Sequence, residues 1–452
     1  ILPACASALL LAATGYLSEN IAPVPLLWIV PLTAYLLSFI LCFAPGGWYR
    51  TGLYLRLHVL ALLGMAWLVD MHSLRFEVPV AAAMVAAGVF IASMFCHGEV
   101  VRRRPGAALL TRFYLCIAAG GALGGLLVGI VAPAALPLPI DFSLAIVACA
   151  VAAVALELPS ARLMTRAALL GALAAVIIFA IRETASFGAD NIALARNFYG
   201  TLRVTPEFTG FPAVKARVLE HGVIKHGLQI VEQGMQLRPT AYFGIGSGVQ
   251  LAIDATRRPG QRVGIVGLGT GTIAVYGRAG DVYRFYELNP LVLDFARRYF
   301  SFLAESAARV EVVLGDARLS LEREPAQAYD VLVIDAFSSD SIPVHLLTRE
   351  ALQLYLRHLE PEGILALHIS NKVLDLEPVI AAGASACGLD ARKISTADDP
   401  RMYRLGADWV LLARDPVALR RATAGGAGRR LRKQAQIRLW SDDYSNIWQV
   451  IK

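Results

Sequence analysis

Four short apolar runs, each ending in a glycine turn or an acid, constrain the fold of this chain more than any other feature. Val263-Gly264-Ile265-Val266 runs into Gly267-Leu268-Gly269-Thr270-Gly271. The run Tyr283 to Tyr286 ends in Glu287, twenty residues beyond Gly267. A third run ends at Gly315-Asp316, and Val331 to Ile334 ends in Asp335. Apolar runs of this length suit strands buried on both faces, and helical stretches between them imply a parallel sheet covered on both sides. Ligands bind such sheets at the carboxyl ends of the strands. The pattern predicts a nucleoside-binding unit with one acid at each strand tip.

The part before this unit has a different character. Of 452 residues 56% are apolar and 17% charged, and the first lysine is Lys215. Seven apolar segments precede it, at about 2–17, 25–44, 53–69, 77–97, 108–132, 139–157 and 162–181. Most approach the ~20 residues that a helix needs to cross hydrocarbon. Residues 1–182 therefore read as a multi-pass α-helical membrane domain of about seven helices, with the lipid bilayer as partner. A water-soluble bundle of such helices would expose too much apolar surface. Arg50, Arg56, Arg102, Arg103, Arg104, Arg112, Arg162 and Arg166 flank loops on one side, against Arg75 on the other. The positive-inside rule then puts the chain after the last helix outside the cytoplasm. A nucleoside donor made in the cytoplasm argues for the opposite side, and sidedness stays open.

Within this half, Gly120-Gly121-Ala122-Leu123-Gly124-Gly125 predicts close helix packing. His97 and Glu99 are expected in a solvated, structural position at the interface. The six cysteines show neither metal-ligand spacing nor a disulfide framework, so no metal is expected.

Residues 182–195 read as a linker and 196–236 as a small antiparallel β-sheet, with strands near 197–204, 213–219 and 228–231. Pro239 to Thr256 reads as a helix. From 237 to 452 strands and helices alternate as in an α/β Rossmann-like domain of the class I methyltransferase-like kind, with strands near 262–266, 282–287, 310–314, 330–335, 363–369, 390–395 and 408–413. The tail run Arg429 to Lys433 reads as a solvated helix face. Despite the net charge of +7, no nucleic-acid partner is expected.

The tips carry the chemistry. Gly267, Gly269 and Gly271 permit a tight turn and close approach of backbone to a ligand. An acid ending the next strand, here Glu287, can accept both ribose hydroxyls. Asp316, after the third strand, is placed for an adenine amino group, and Asp335 opens the loop where a reacting group is reached. Tyr242 is a candidate pocket wall, with core packing as the equal alternative. His368 lies near a strand end, where a histidine more often satisfies a local hydrogen bond than acts as a base.

The chain resembles the spermidine synthase (polyamine aminopropyltransferase) family, in particular its membrane-fused bacterial branch. The resemblance rests on Arg196 to Gly200, His221-Gly222, His226 to Gln229, Pro239 to Tyr242, the glycine loop, Glu287, Gly315-Asp316-Ala317, Asp335 to Asp340, and Trp440 to Tyr444. It extends more loosely to Leu110 to Tyr114 in the apolar half. It implies a bacterial inner-membrane protein with an S-adenosyl-type donor, decarboxylated S-adenosylmethionine or S-adenosylmethionine, and a small amine as acceptor. By resemblance, Gly267, Gly269, Thr270, Gly271, Glu287, Asp316 and Ala317 hold the donor, and Gln229 holds the donor's tail or the acceptor. Asp335 takes the proton of the attacking amine, and Tyr242, Ser338 and Asp340 face the acceptor.

Two positions depart from the family. Thr270 and Ser338 stand where family enzymes carry aspartates that attract cationic amines. Asp340, Asp442 and Asp443 are the acids that could compensate. Aminopropyl transfer is the first expectation. A methyltransferase of the same fold is the alternative, and a non-catalytic subunit is the third reading. A second copy of the chain or a membrane-complex partner completes the expected partners.

Overall fold

The computed structural model describes all residues except 22–26, 72–77, 190, 223, 337–342, 427 and 433–436. The chain divides into two compact units, Ile1–Thr201 and Leu202–Lys452.

The first unit is helical. It contains α1 (Leu2–Tyr16), α2 (Ile29–Phe43), α3 (Thr51–Asp70), α4 (Val78–Arg102), α5 (Leu110–Leu126), α6 (Ala132–Ala135), α7 (Asp141–Glu157) and α8 (Leu163–Ala189), followed by β1 (Ala193–Asn197). Among the described residues four helical stretches are long and apolar enough to cross a membrane: Thr51–Asp70, Pro79–Arg102, Ala107–Ala135 and Leu163–Gly188. The core is built from α1, α3, α4 and α7, including Leu9, Met65, Phe95 and Ile146. A side chain at Gly124 would collide with the Ala4 carbonyl of α1, so the small residues of α5 serve close packing.

Two expectations for this unit need correction. His97 and Glu99 are buried, not solvated. His97 Nδ1 lies 3.0 Å from Ser38 Oγ. Glu99 accepts from Tyr49 Oη at 2.5 Å and pairs with Arg102 and Arg103. The expected linker is also mostly helix, because α8 continues unbroken to Ala189.

The second unit begins within β2 (Gly200–Thr209) and continues with β3 (Val214–His221) and β4 (Ile224–Ile230), paired antiparallel in sequence order. There follow α9 (Gly248–Ala255), β5 (Arg262–Val266), β6 (Val282–Glu287), α10 (Pro290–Tyr299), β7 (Arg309–Leu314), α11 (Ala317–Arg323), β8 (Tyr329–Ile334), α12 (Arg349–His358), β9 (Leu359–His368), α13 (Glu377–Ala386), β10 (Asp390–Thr396), β11 (Ala407–Ala413) and α14 (Pro416–Ala422). The last seven strands form one sheet in the order β10-β11-β9-β8-β5-β6-β7.

Side-chain alternation explains how this sheet is covered. Val266, Leu332, Ile334, Leu365, Leu367, Val410 and Leu412 face one layer, with α11, α12 and α13. Val263, Ile265, Val331, Val333, Ile364, Ala366, Trp409 and Leu411 face the other, with α9, α10 and α14. Helix starts carry the expected caps: Ser247, Asn289, Asp316, Thr348 and Asp415 each accept a backbone N–H from the first turn.

Three local differences from the expected pattern have physical causes. The sheet is mixed, since β11 runs antiparallel between β10 and β9. No helix separates β10 from β11, and a connection that short cannot return a parallel strand. The helix expected from Pro239 starts only at Gly248, because Ala241 takes a φ of 54° and the chain turns through Gly246 before Ser247 caps it. Arg429 to Arg432 is not a helix face: Arg429 pairs in extended form with Lys393, and both arginines reach Glu377.

Candidate functional site

The parallel core of the sheet sets the tips in register. Gly267 N–H donates to the Tyr286 carbonyl at 2.9 Å, Gly315 N–H to the Glu287 carbonyl at 2.9 Å, and Asp335 N–H to the Val266 carbonyl at 2.8 Å. Gly267, Glu287, Gly315 and Asp335 therefore share one edge, the carboxyl edge of β5, β6, β7 and β8.

The glycine loop is shaped first by the protein itself. Gly267 has a φ of 98°, and a side chain there would strike the Asp335 carbonyl. Gly269 has a φ of 53°, and its Cβ would sit 2.6 Å from the His226 carbonyl of β4. The loop is thus wedged between β8 and the small sheet. Gly269→Ala is expected to lower stability by roughly 1–3 kcal/mol through backbone strain; an unchanged thermal unfolding midpoint would contradict this packing. Thr270 is buried, its Oγ1 2.8 Å from Thr272 Oγ1. Gly271 precedes the short helical turn that begins at Thr272.

Glu287 is buried beneath this loop. Its Oε2 accepts from Leu268 N–H at 3.0 Å and its Oε1 from Asn289 N–H at 2.8 Å. Burial raises its pKa, and the backbone donors of Asn289, Leu268 and Leu288 act against that rise. A carboxylate offers about four lone-pair sites, so these two bonds orient the group and leave acceptor capacity for a diol.

Asp316 caps α11, accepting from Leu319 N–H at 2.9 Å, and its other oxygen lies 3.4 Å from His345 Nε2. Ala317 is buried at the first position of that helix. Gln229 is buried and bound to its own chain: Nε2 donates to Ser301 Oγ at 2.7 Å and to the Gln236 carbonyl at 3.0 Å, and Oε1 accepts from Ser301 N–H at 3.0 Å. Asp442 binds Arg318 and Thr348. Ser338 and Asp340 lie outside the described residues.

Around Asp335 the structure brings together His368 and Tyr242, both singled out in the sequence, with Ser370 and Trp409, whose part in the group the sequence did not show. Asp335 Oδ1 lies 2.6 Å from His368 Nδ1, with side-chain exposures of 9% and 7%. His368 Nε2 lies 2.8 Å from Ser370 Oγ. The imidazole stacks between Tyr242, at 4.8 Å, and Trp409, at 4.7 Å. Trp409 Nε1 donates to the Tyr242 carbonyl at 3.3 Å, which closes the stack. Burial pushes the Asp335 pKa up, and the neighbouring His368 pulls it back. Burial and then the Asp335 charge raise the Tyr242 phenol. The available signal was positional: His368 ends β9 as Glu287 ends β6.

No family model matches the chain. It is 33% identical over 126 residues to a polyamine aminopropyltransferase of Vibrio vulnificus (strain CMCP6), a stretch that covers 26% of this chain and 41% of that protein. The chain thus spans less than half the length of this curated relative. A probable spermidine synthase from Corynebacterium glutamicum ATCC 13032 is 18% identical, with a TM-score of 0.40, covering 56% of this chain and 97% of that one. A spermidine synthase solved with the transition-state analogue AdoDATO is 14% identical, with a TM-score of 0.38, covering 54% and 82%. In the stretch matched to the Vibrio protein, this chain is similar to the spermidine synthase family.

Proposed function

We propose that the second unit is an aminopropyltransferase-like enzyme that takes an S-adenosyl-type donor and an amine acceptor, tethered to a bacterial inner membrane by the apolar helices of the first unit. The observation that carries this reading is the shared edge of the glycine loop, Glu287 and Asp335. Glu287 would accept the ribose hydroxyls, held in position by Leu268 and Asn289 N–H. Asp335 would face the acceptor. The acceptor nitrogen's lone pair forms a bond to the donor carbon beside the sulfonium. The C–S bond pair leaves with sulfur as a neutral thioether, and the nitrogen's surplus proton passes to the Asp335 carboxylate. Alignment of the two substrates supplies much of the remaining rate.

Methyl transfer from S-adenosylmethionine is the second reading, favoured by Thr270, a neutral side chain in the glycine loop. The by-product separates the two. Aminopropyl transfer leaves methylthioadenosine and methyl transfer leaves S-adenosylhomocysteine. Release of neither from both donors, across a panel of amines, would remove both readings.

Glu287→Ala weakens donor binding about tenfold or more, as expected for loss of charge-assisted bonds to a diol; an unchanged Kd would remove Glu287 from the ribose. Since burial raises the Asp335 pKa, the ionised base appears only above the ordinary carboxylate range. Activity is therefore lost on the acid side at a higher pH than an exposed aspartate would give. A kcat/KM profile flat down to pH ~4 would contradict this assignment.

A further inference from the structure

We propose that His368 is a positioning residue, a neutral imidazole protonated on Nδ1, which fixes Asp335 as an anionic base with Oδ1 committed to the ring. The proposal rests on the reading of Asp335 as the proton acceptor, and its geometry stands on its own. Asp408 N–H donates to Ser370 Oγ at 2.8 Å. With that lone pair occupied by a backbone donor, the Ser370 hydroxyl satisfies all three groups by giving its own proton to His368 Nε2, 2.8 Å away. Nε2 is then an acceptor, which leaves the ring proton on Nδ1, aimed at Asp335 Oδ1 at 2.6 Å. The chain of donors runs one way, from backbone amide through hydroxyl and imidazole to carboxylate.

The rings of Tyr242 and Trp409 close the two faces of the imidazole, with interplanar angles of 17° and 20°. Rotation of the ring out of this plane would break both stacks. A histidine oriented by a second group, and orienting in turn the group that reacts, matches the general logic of tautomer control. The consequence is electrostatic. A neutral ring leaves the pair with the full carboxylate charge, which suits an acceptor with a basic nitrogen. An imidazolium would cancel that charge and suit a neutral hydroxyl or thiol.

The test is the 15N spectrum of the full chain in detergent, labelled at histidine imidazoles, with His368→Asn used to assign the resonance. At neutral pH the expected signature is a protonated Nδ1 beside an unprotonated Nε2. A protonated Nε2, alone or together with Nδ1, would overturn the proposal. Ser370→Ala removes the hydroxyl that donates to Nε2, so an Nε2-protonated population is expected to appear. A spectrum unchanged in that variant would also overturn it, because the hydroxyl would then not set the tautomer. Donor calorimetry on the same samples separates the two claims: failure to bind either S-adenosyl compound defeats the enzyme reading and leaves the tautomer result intact.

Discussion

Asp335→Asn lowers turnover by about 100- to 10,000-fold, the usual span for loss of a general base, while donor affinity stays within about twofold. The reason is local. The asparagine carbonyl still accepts from His368 Nδ1, as Asp335 Oδ1 does at 2.6 Å, so the Tyr242–His368–Trp409 stack keeps its shape. Only basicity is lost. Rate and donor Kd measured on one preparation check this, with the thermal midpoint as control for folding. Turnover within threefold of the parent, on the order of 0.6 kcal/mol, would remove Asp335 from the proton-transfer step.

The second large effect is on stability and lies away from the site. Glu377→Gln is expected to destabilise the second unit by about 1–3 kcal/mol, the loss of charge-assisted hydrogen bonds to a buried carboxylate whose arginine partners reach it from the surface. Glu377 is fully buried. Arg429 grips it with two bonds of 2.6 Å, Arg432 N–H donates to it at 2.7 Å, and Lys393 Nζ lies 3.4 Å away. The three cations would be left around a neutral amide. Burial alone would raise the Glu377 pKa, yet Arg429, Arg432 N–H and Lys393 hold it at about 2, below its ordinary 4.5. The folded value is depressed, so this contribution is fully present above pH 4.5 and is lost as pH falls from there through about 2. Thermal unfolding of the variant and of the parent at neutral pH checks the claim; equal midpoints would show the cluster to be without net effect.

The strands and their tips were readable because the hydrophobic runs and the acids share one period. Glu287 and Asp335 fall where a strand of five or six residues must end, and the observed ends are Glu287 and Ile334. What each tip residue touches was not readable. Gln229 meets Ser301 from 72 residues away, and Asp335 meets His368 from 33. Such pairs depend on strand order, and local sequence does not encode which strands become neighbours. The antiparallel β11 was open to inference from the missing helix before it. The late start of α9 was hidden, because a positive φ at Ala241 is imposed by tertiary contact: Ala241 N–H donates to the Tyr403 carbonyl at 3.0 Å. The tail arginines looked solvated only because Glu377 lies more than fifty residues upstream.

Calorimetry of the full chain with decarboxylated S-adenosylmethionine and with S-adenosylmethionine tests most directly whether the edge formed by Gly267, Glu287 and Asp335 holds an adenosine. The account predicts saturable binding of one of the two with a Kd below ~1 mM, which corresponds to roughly 4 kcal/mol of binding free energy or more. Absence of binding by both compounds at millimolar concentration would contradict it.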